Sequence, residues 1–137
     1  MGCDMHLHIE IKVNGRWLHY NHPRIERNYN LFARMAGVRN LYNIEPISKV
    51  KGFPLDATET TKYDYQRWGV DAHTPSWLSR AEIISLSEWI RRQEWADNIY
   101  QECRIFGYLF GNTFSSIDDG EAPDGLEDVR FVFWFDN

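Results

Sequence analysis

The pair Asp-x-His occurs twice in this chain, as Asp4-Met5-His6 and as Asp71-Ala72-His73. Imidazole and carboxylate together suit zinc, manganese or iron, so Asp4, His6, Asp71 and His73 are the candidate ligands of a divalent transition metal, zinc or manganese. His8 and Glu10 continue the first pair at the same spacing and are the candidates for general base or extra ligand. An ion so held lowers the pKa of its bound water towards neutrality, which is the chemistry of metal-assisted hydrolysis. A plainer reading competes with it: His6 and His8 on a solvated sheet face, with each Asp bonded to the histidine beside it. His19 and His22, in a hairpin arm and in the turn before Pro23, read as ordinary polar residues.

A second group is cationic and aromatic. Arg27, Asn30 and Arg34 share a helical spacing, with Arg24 and Arg39 nearby, and guanidinium forks match phosphate oxygens bidentately. Arg27, Arg34 and Arg39 are therefore candidates for holding a small anion, although a solvated helix face is the more frequent meaning of such charges. Trp68 and Trp77, with Tyr63 and Tyr65, could stack on a base, while Trp17, Trp89, Trp95 and Trp134 read as core. Ser76 and Ser79 lie near His73 without a G-x-S-x-G elbow, which disfavours a serine hydrolase. The acidic stretch 118–128 lacks the spacing of a calcium loop.

A small set of elements must position these residues. Met5, Leu7, Ile9, Ile11 and Val13 alternate with polar residues, the period of a half-buried strand over 5–13 with Asp4, His6, His8 and Glu10 on the opposite side. Asn14-Gly15 is the pair favoured in tight hairpins, so 16–20 returns antiparallel. Pro23 and Gly37 bracket a helix over 24–36. Residues 40–76 show no sustained period and read as a long structured loop with a short strand near 44–50. Ser79 and Glu82 form a capping-box pattern that opens a helix over 80–111, single or broken near Gln93. Val129 to Phe135 is a last strand whose continuous apolar character predicts cover on both faces.

The expected fold is α+β, a single domain over residues 1–137: an antiparallel sheet with an N-terminal hairpin and a C-terminal strand, packed against two or three helices. Ordering the long loop costs roughly 1–2 kcal/mol per residue in backbone entropy. Trp68 and Trp77 are therefore expected to be at least partly buried, clamping Asp71 and His73 within reach of the polar face of the first strand. A His73 imidazole on the far side of the domain from His6 would end both this placement and the metal expectation built on it, leaving the binding-protein alternative.

Composition narrows the classes. With 43% hydrophobic and 15% aromatic residues over 137 positions, the chain is that of a folded globular domain. Its longest apolar stretches, near 105–110 and 131–135, are far short of the roughly 20 residues of a membrane span. The first ten residues lack the pattern of a signal peptide, so a cytoplasmic location without membrane contact is expected. Two cysteines, Cys3 and Cys103, suit a reducing compartment. The net charge of −5 is unevenly spread, with eight basic against four acidic residues up to Gly52 and seven against sixteen after it. Such a chain is a poor partner for a nucleic acid polymer, whereas its basic first third suits a small anionic ligand.

Four segments in order, MGCDMHLHIE, RNYNLFARMAGVRN, WGVDAHTPSWLS and VRFVFWFDN, together resemble a widespread, functionally uncharacterised family of small proteins of tailed phages, prophages and bacteria. The resemblance spans nearly the whole chain. It implies that Asp4, His6, Arg27, Asn28, Tyr29, Arg39, Asp71, His73, Ser76 and Trp77 belong to signature segments, and that a phage-encoded chain acts in the host cytoplasm. Many phage proteins of this size defeat host defence, and some bind or cleave nucleotide signals, so the context adds a nucleotide-like ligand by analogy. The leading expectation is a metal-assisted hydrolase of a small phosphate-bearing, nucleotide-like substrate. The alternative is a non-catalytic binding protein, expected as a homo-oligomer, that sequesters a nucleotide signal or antagonises a host defence factor.

Overall fold

A computed structural model describes residues 2–96 and 125–137. In chain order the elements are β1 (Asp4–Val13), β2 (Arg16–Asn21), α1 (Tyr29–Ala36), α2 (Glu59–Trp68), β3 (His73–Leu78), α3 (Arg80–Ile90) and β4 (Leu126–Asp136). The alternation along β1 divides the molecule. Met5, Leu7, Ile9 and Ile11 are buried on one face together with Val129, Phe131, Phe133 and Phe135 of β4. Helices α1 and α3 cover that face through Leu31, Phe32, Met35, Ile83, Leu86 and Ile90.

All pairings in the four-stranded sheet are antiparallel, in the order β2-β1-β4-β3. Asn14 and Gly15 take φ of 52° and 73°, the left-handed pair that a type I′ turn needs, and this sets Lys12 opposite Trp17 and Glu10 opposite His19. β4 pairs with β1 from Asp4↔Asp136 to Val13↔Leu126 and with β3 on its other edge. Every residue from Val129 to Phe135 is buried, as its unbroken apolar run predicts. The α+β architecture is the one expected.

Three elements differ from expectation. The helix foreseen over 24–36 begins at Tyr29, because Asn28 is extended and its side-chain oxygen accepts from Leu31 N at 3.0 Å as an N-cap. Residues 44–50 form no strand. Instead, the segment 40–76 contains α2, which sequence periodicity missed because ETTKYDYQRW is polar nearly all round. Residues His73–Leu78 form β3, where the sequence reads as loop up to residue 76. Helix α3 ends at Ile90, in keeping with the expected break near Gln93, while the remainder of the expected 80–111 helix from residue 97 onward, with Cys103, lies outside the described residues. Among the described residues no helix is long and apolar enough to cross a membrane.

Candidate functional site

The second face of the sheet is built from the even positions of β1 and β4, and α2 lies over it. Trp134 is fully buried at its centre, in ring contact with His6, His8, Phe53 and Tyr65. Glu10, expected as a general base or extra ligand, is instead the clamp that seats α2. Its Oε2 accepts from Thr58 N, Thr58 Oγ1 and Thr61 Oγ1, and its Oε1 accepts from Arg130 Nε at 2.8 Å. Burial would raise the Glu10 carboxyl, but these donors outweigh it and hold the group below the usual carboxylate range. With 0% exposure and both oxygens engaged, Glu10 has nothing to offer a substrate.

Beyond this clamp, α2 brings Asp64 to the histidines of the hairpin. Asp64 Oδ2 lies 2.8 Å from His8 Nε2 and 3.8 Å from His22 Nε2, and the His8 and His22 rings stack at 3.9 Å. The ligand atoms of His8, His22 and Asp64 all fall within 4.8 Å of one another. Two tetrahedral ligands of zinc sit roughly 3.3 Å apart, given bonds of about 2.0–2.1 Å, between the two separations observed here. On its other side His8 Nδ1 faces His19 Nε2 at 2.9 Å. Burial pushes the His8 imidazole down from 6.5 to about 4, and it lowers His19 and His22 as well. Neutral imidazoles are the form that binds a metal. Burial opposes the charged form of Asp64, yet hydrogen bonds from His8 and Arg67 hold its carboxyl below the usual range.

His22 also lines an open cleft of about 790 Å³, together with Asp4, His6, Arg24 and Arg27. Because α1 starts late, Arg27 belongs to the non-helical segment along this cleft and not to a helical stripe. Its Nε and Nη2 each donate to Asp4 at 3.0 Å, which lowers the Asp4 carboxyl. A Cβ on Gly2 would fall 1.9 Å from Arg27 Nη1, so a larger residue there would have to displace the guanidinium. Arg34 and Arg39, expected beside Arg27, are elsewhere. Arg34 donates to the Glu45 carbonyl at 2.8 Å, and Arg39 lies over the Tyr29 ring at 5.4 Å.

The structure does not assemble the four expected ligands. Asp4 is taken by Arg27, and His6 Nε2 is 2.9 Å from Asp136 Oδ1. His6 pairs with Trp134 and stacks on it, whereas His73 pairs with Phe135 and stacks on that ring. Neighbours on a strand point to opposite faces, so the two imidazoles are across the sheet from each other. Asp71 stays on the His6 side, beside Arg67 and Trp68. Trp68 and Trp77 are both half-buried, but only Trp68 touches the site, through His6 at 4.2 Å between ring centroids. Trp77 lies under Lys51 and lines a separate cleft with Trp17 and Arg130.

Of the group that does assemble, sequence reasoning named His8 and missed His22 and Asp64. The available signal was the crowding of four of the five histidines into the first 22 residues, with a hairpin register that sets His19 against Glu10. Asp64 carried no signal. No protein-family model, curated protein or solved structure matches this chain.

Proposed function

We infer that this protein hydrolyses a small phosphate-bearing substrate with the help of a divalent transition metal, zinc or manganese, held by His8, His22 and Asp64. The observation that carries the reading is the convergence of these three ligand atoms within 4.8 Å beside a cleft whose lining includes Arg24 and Arg27. Two imidazoles and one carboxylate leave coordination positions open for water and substrate. Such an ion, when bound, would supply hydroxide near neutral pH and draw charge from the phosphoryl oxygens. Hydroxide adds to phosphorus, the ester P–O bond breaks, and its electron pair leaves on the departing oxygen, which takes up a proton. Arg24 neutralises the non-bridging oxygens, while Arg27, whose charge Asp4 already meets, shapes the cleft wall. His6, on the cleft wall and oriented by Asp136, is the candidate donor of that proton.

One observation favours binding without turnover: both His8 nitrogens already have side-chain partners, Asp64 and His19. The two readings part on protein purified without chelator. Elemental analysis should find about one zinc or manganese per chain, and a phosphoester panel should show turnover that chelation removes. Absence of both, with a ligand recovered unchanged after heat release, would sink the hydrolase and leave a binding protein.

A further inference from the structure

A second, smaller cleft adjoins the candidate metal group, and the hydrolytic reading makes no use of it. At the end of α2 the chain turns sharply at Gly69, with φ 54° and ψ −127°, through one turn of 3-10 helix. This returns Asp71 to the last turn of α2, so that Arg67, Trp68 and Asp71 line a cleft of about 300 Å³. Two contacts connect it to the site. The Trp68 ring lies on His6, which lines the larger cleft, and Arg67 Nη2 donates at 2.9 Å to Asp64 Oδ1, whose other oxygen faces His8 and His22.

A flat indole, a carboxylate and a guanidinium at one small cleft are the parts that read a nucleobase. Their combination discriminates between bases. Guanine offers N1–H and N2–H as adjacent donors, which a carboxylate accepts together, and O6 and N7 as adjacent acceptors, which suit the guanidinium hydrogens of Arg67 that Asp64 does not take. Adenine would turn the N1 acceptor towards the carboxylate, and a pyrimidine has no N7. Because Trp68 touches His6, a residue of the larger cleft, a phosphate joined to such a base through a ribose would have that cleft as its neighbour.

We propose that the Arg67, Trp68 and Asp71 cleft is a guanine subsite and that the substrate is a guanine nucleotide, with its phosphate in the larger cleft beside Arg24. The reaction named for that substrate rests on the hydrolytic reading above, but the binding does not. Titration of chelator-treated protein with GMP, AMP and ribose 5-phosphate, followed by tryptophan fluorescence and calorimetry, tests it directly. GMP should bind at least tenfold more tightly than either comparison ligand. Asp71→Asn should bring GMP down to the level of AMP. Trp68→Ala should lose the base-dependent gain, and Trp68→Phe, which keeps a ring, should retain most of it. GMP within threefold of ribose 5-phosphate, or equal affinity for AMP that Asp71→Asn leaves unchanged, would overturn the subsite. Hydrolysis of p-nitrophenyl phosphate by the zinc-loaded protein reports the metal group independently. A tenfold GMP preference without that turnover keeps the subsite and removes the hydrolase; turnover without base preference does the reverse.

Discussion

His22 and His73 separate the two ligand sets at the scale of single side chains. His22 stacks on His8 and approaches Asp64, whereas His73 bonds Thr74 and Asn137 across the sheet. His22→Ala should therefore lower zinc affinity at least tenfold in a competition assay with a chromophoric chelator, while His73→Ala should leave it unchanged. The His22 side chain is 44% exposed, so its removal should shift the thermal midpoint only slightly. An equal loss in both variants would return His73 to the centre. His8 was legible from residue type and strand spacing, because a period of two is a local property of the chain. The fate of Glu10 was not, since four hydrogen bonds from Thr58, Thr61 and Arg130 decide whether that carboxylate reacts or holds.

At the scale of elements, α2 is held by polar contacts more than by an apolar stripe. Thr58 caps it, Thr61 and Asp64 are its buried positions, and all three reach residues of β1. Glu10→Gln removes one partner of the buried Arg130 pair and should cost about 3–5 kcal/mol, read as a lower urea midpoint. The pH dependence has a definite sign. The folded Glu10 carboxyl lies below its unfolded value of about 4.3, so its contribution is full above that value and is lost as pH falls through the folded one. Urea midpoints from pH 7 to pH 3 should decline less steeply for Glu10→Gln than for the unsubstituted chain. An identical slope would mean that the clamp is not formed. This helix escaped sequence reasoning because its stabilising contacts are long-range hydrogen bonds, which leave no periodic hydrophobic pattern.

For the molecule as a whole, the consequence of covering both faces of the sheet is a dry imidazole at its middle. His8 is 1% exposed, and its folded pKa of about 4 lies below the ordinary 6.5. The unfolded chain takes up the proton first, so this contribution to stability is complete above pH 6.5 and is lost as pH falls towards about 4. A nuclear magnetic resonance titration of metal-free protein should show the His8 ring still neutral at pH 5.5; half-protonation near 6.5 would mean that water reaches this face. By itself the sequence determined the hairpin, the inward row of β1, the doubly covered last strand and the α+β class, because alternation and the Asn-Gly turn act over a few residues. It also marked the N-terminal histidines as the place to look. Tertiary structure alone decided which groups meet there. Asp64 reaches His8 across 56 positions of sequence, through a helix docked by polar bonds, and the pleat of one strand sends His6 and His73 to opposite faces. Local periodicity places a side chain on a face; only the packing of one element on another chooses what it faces.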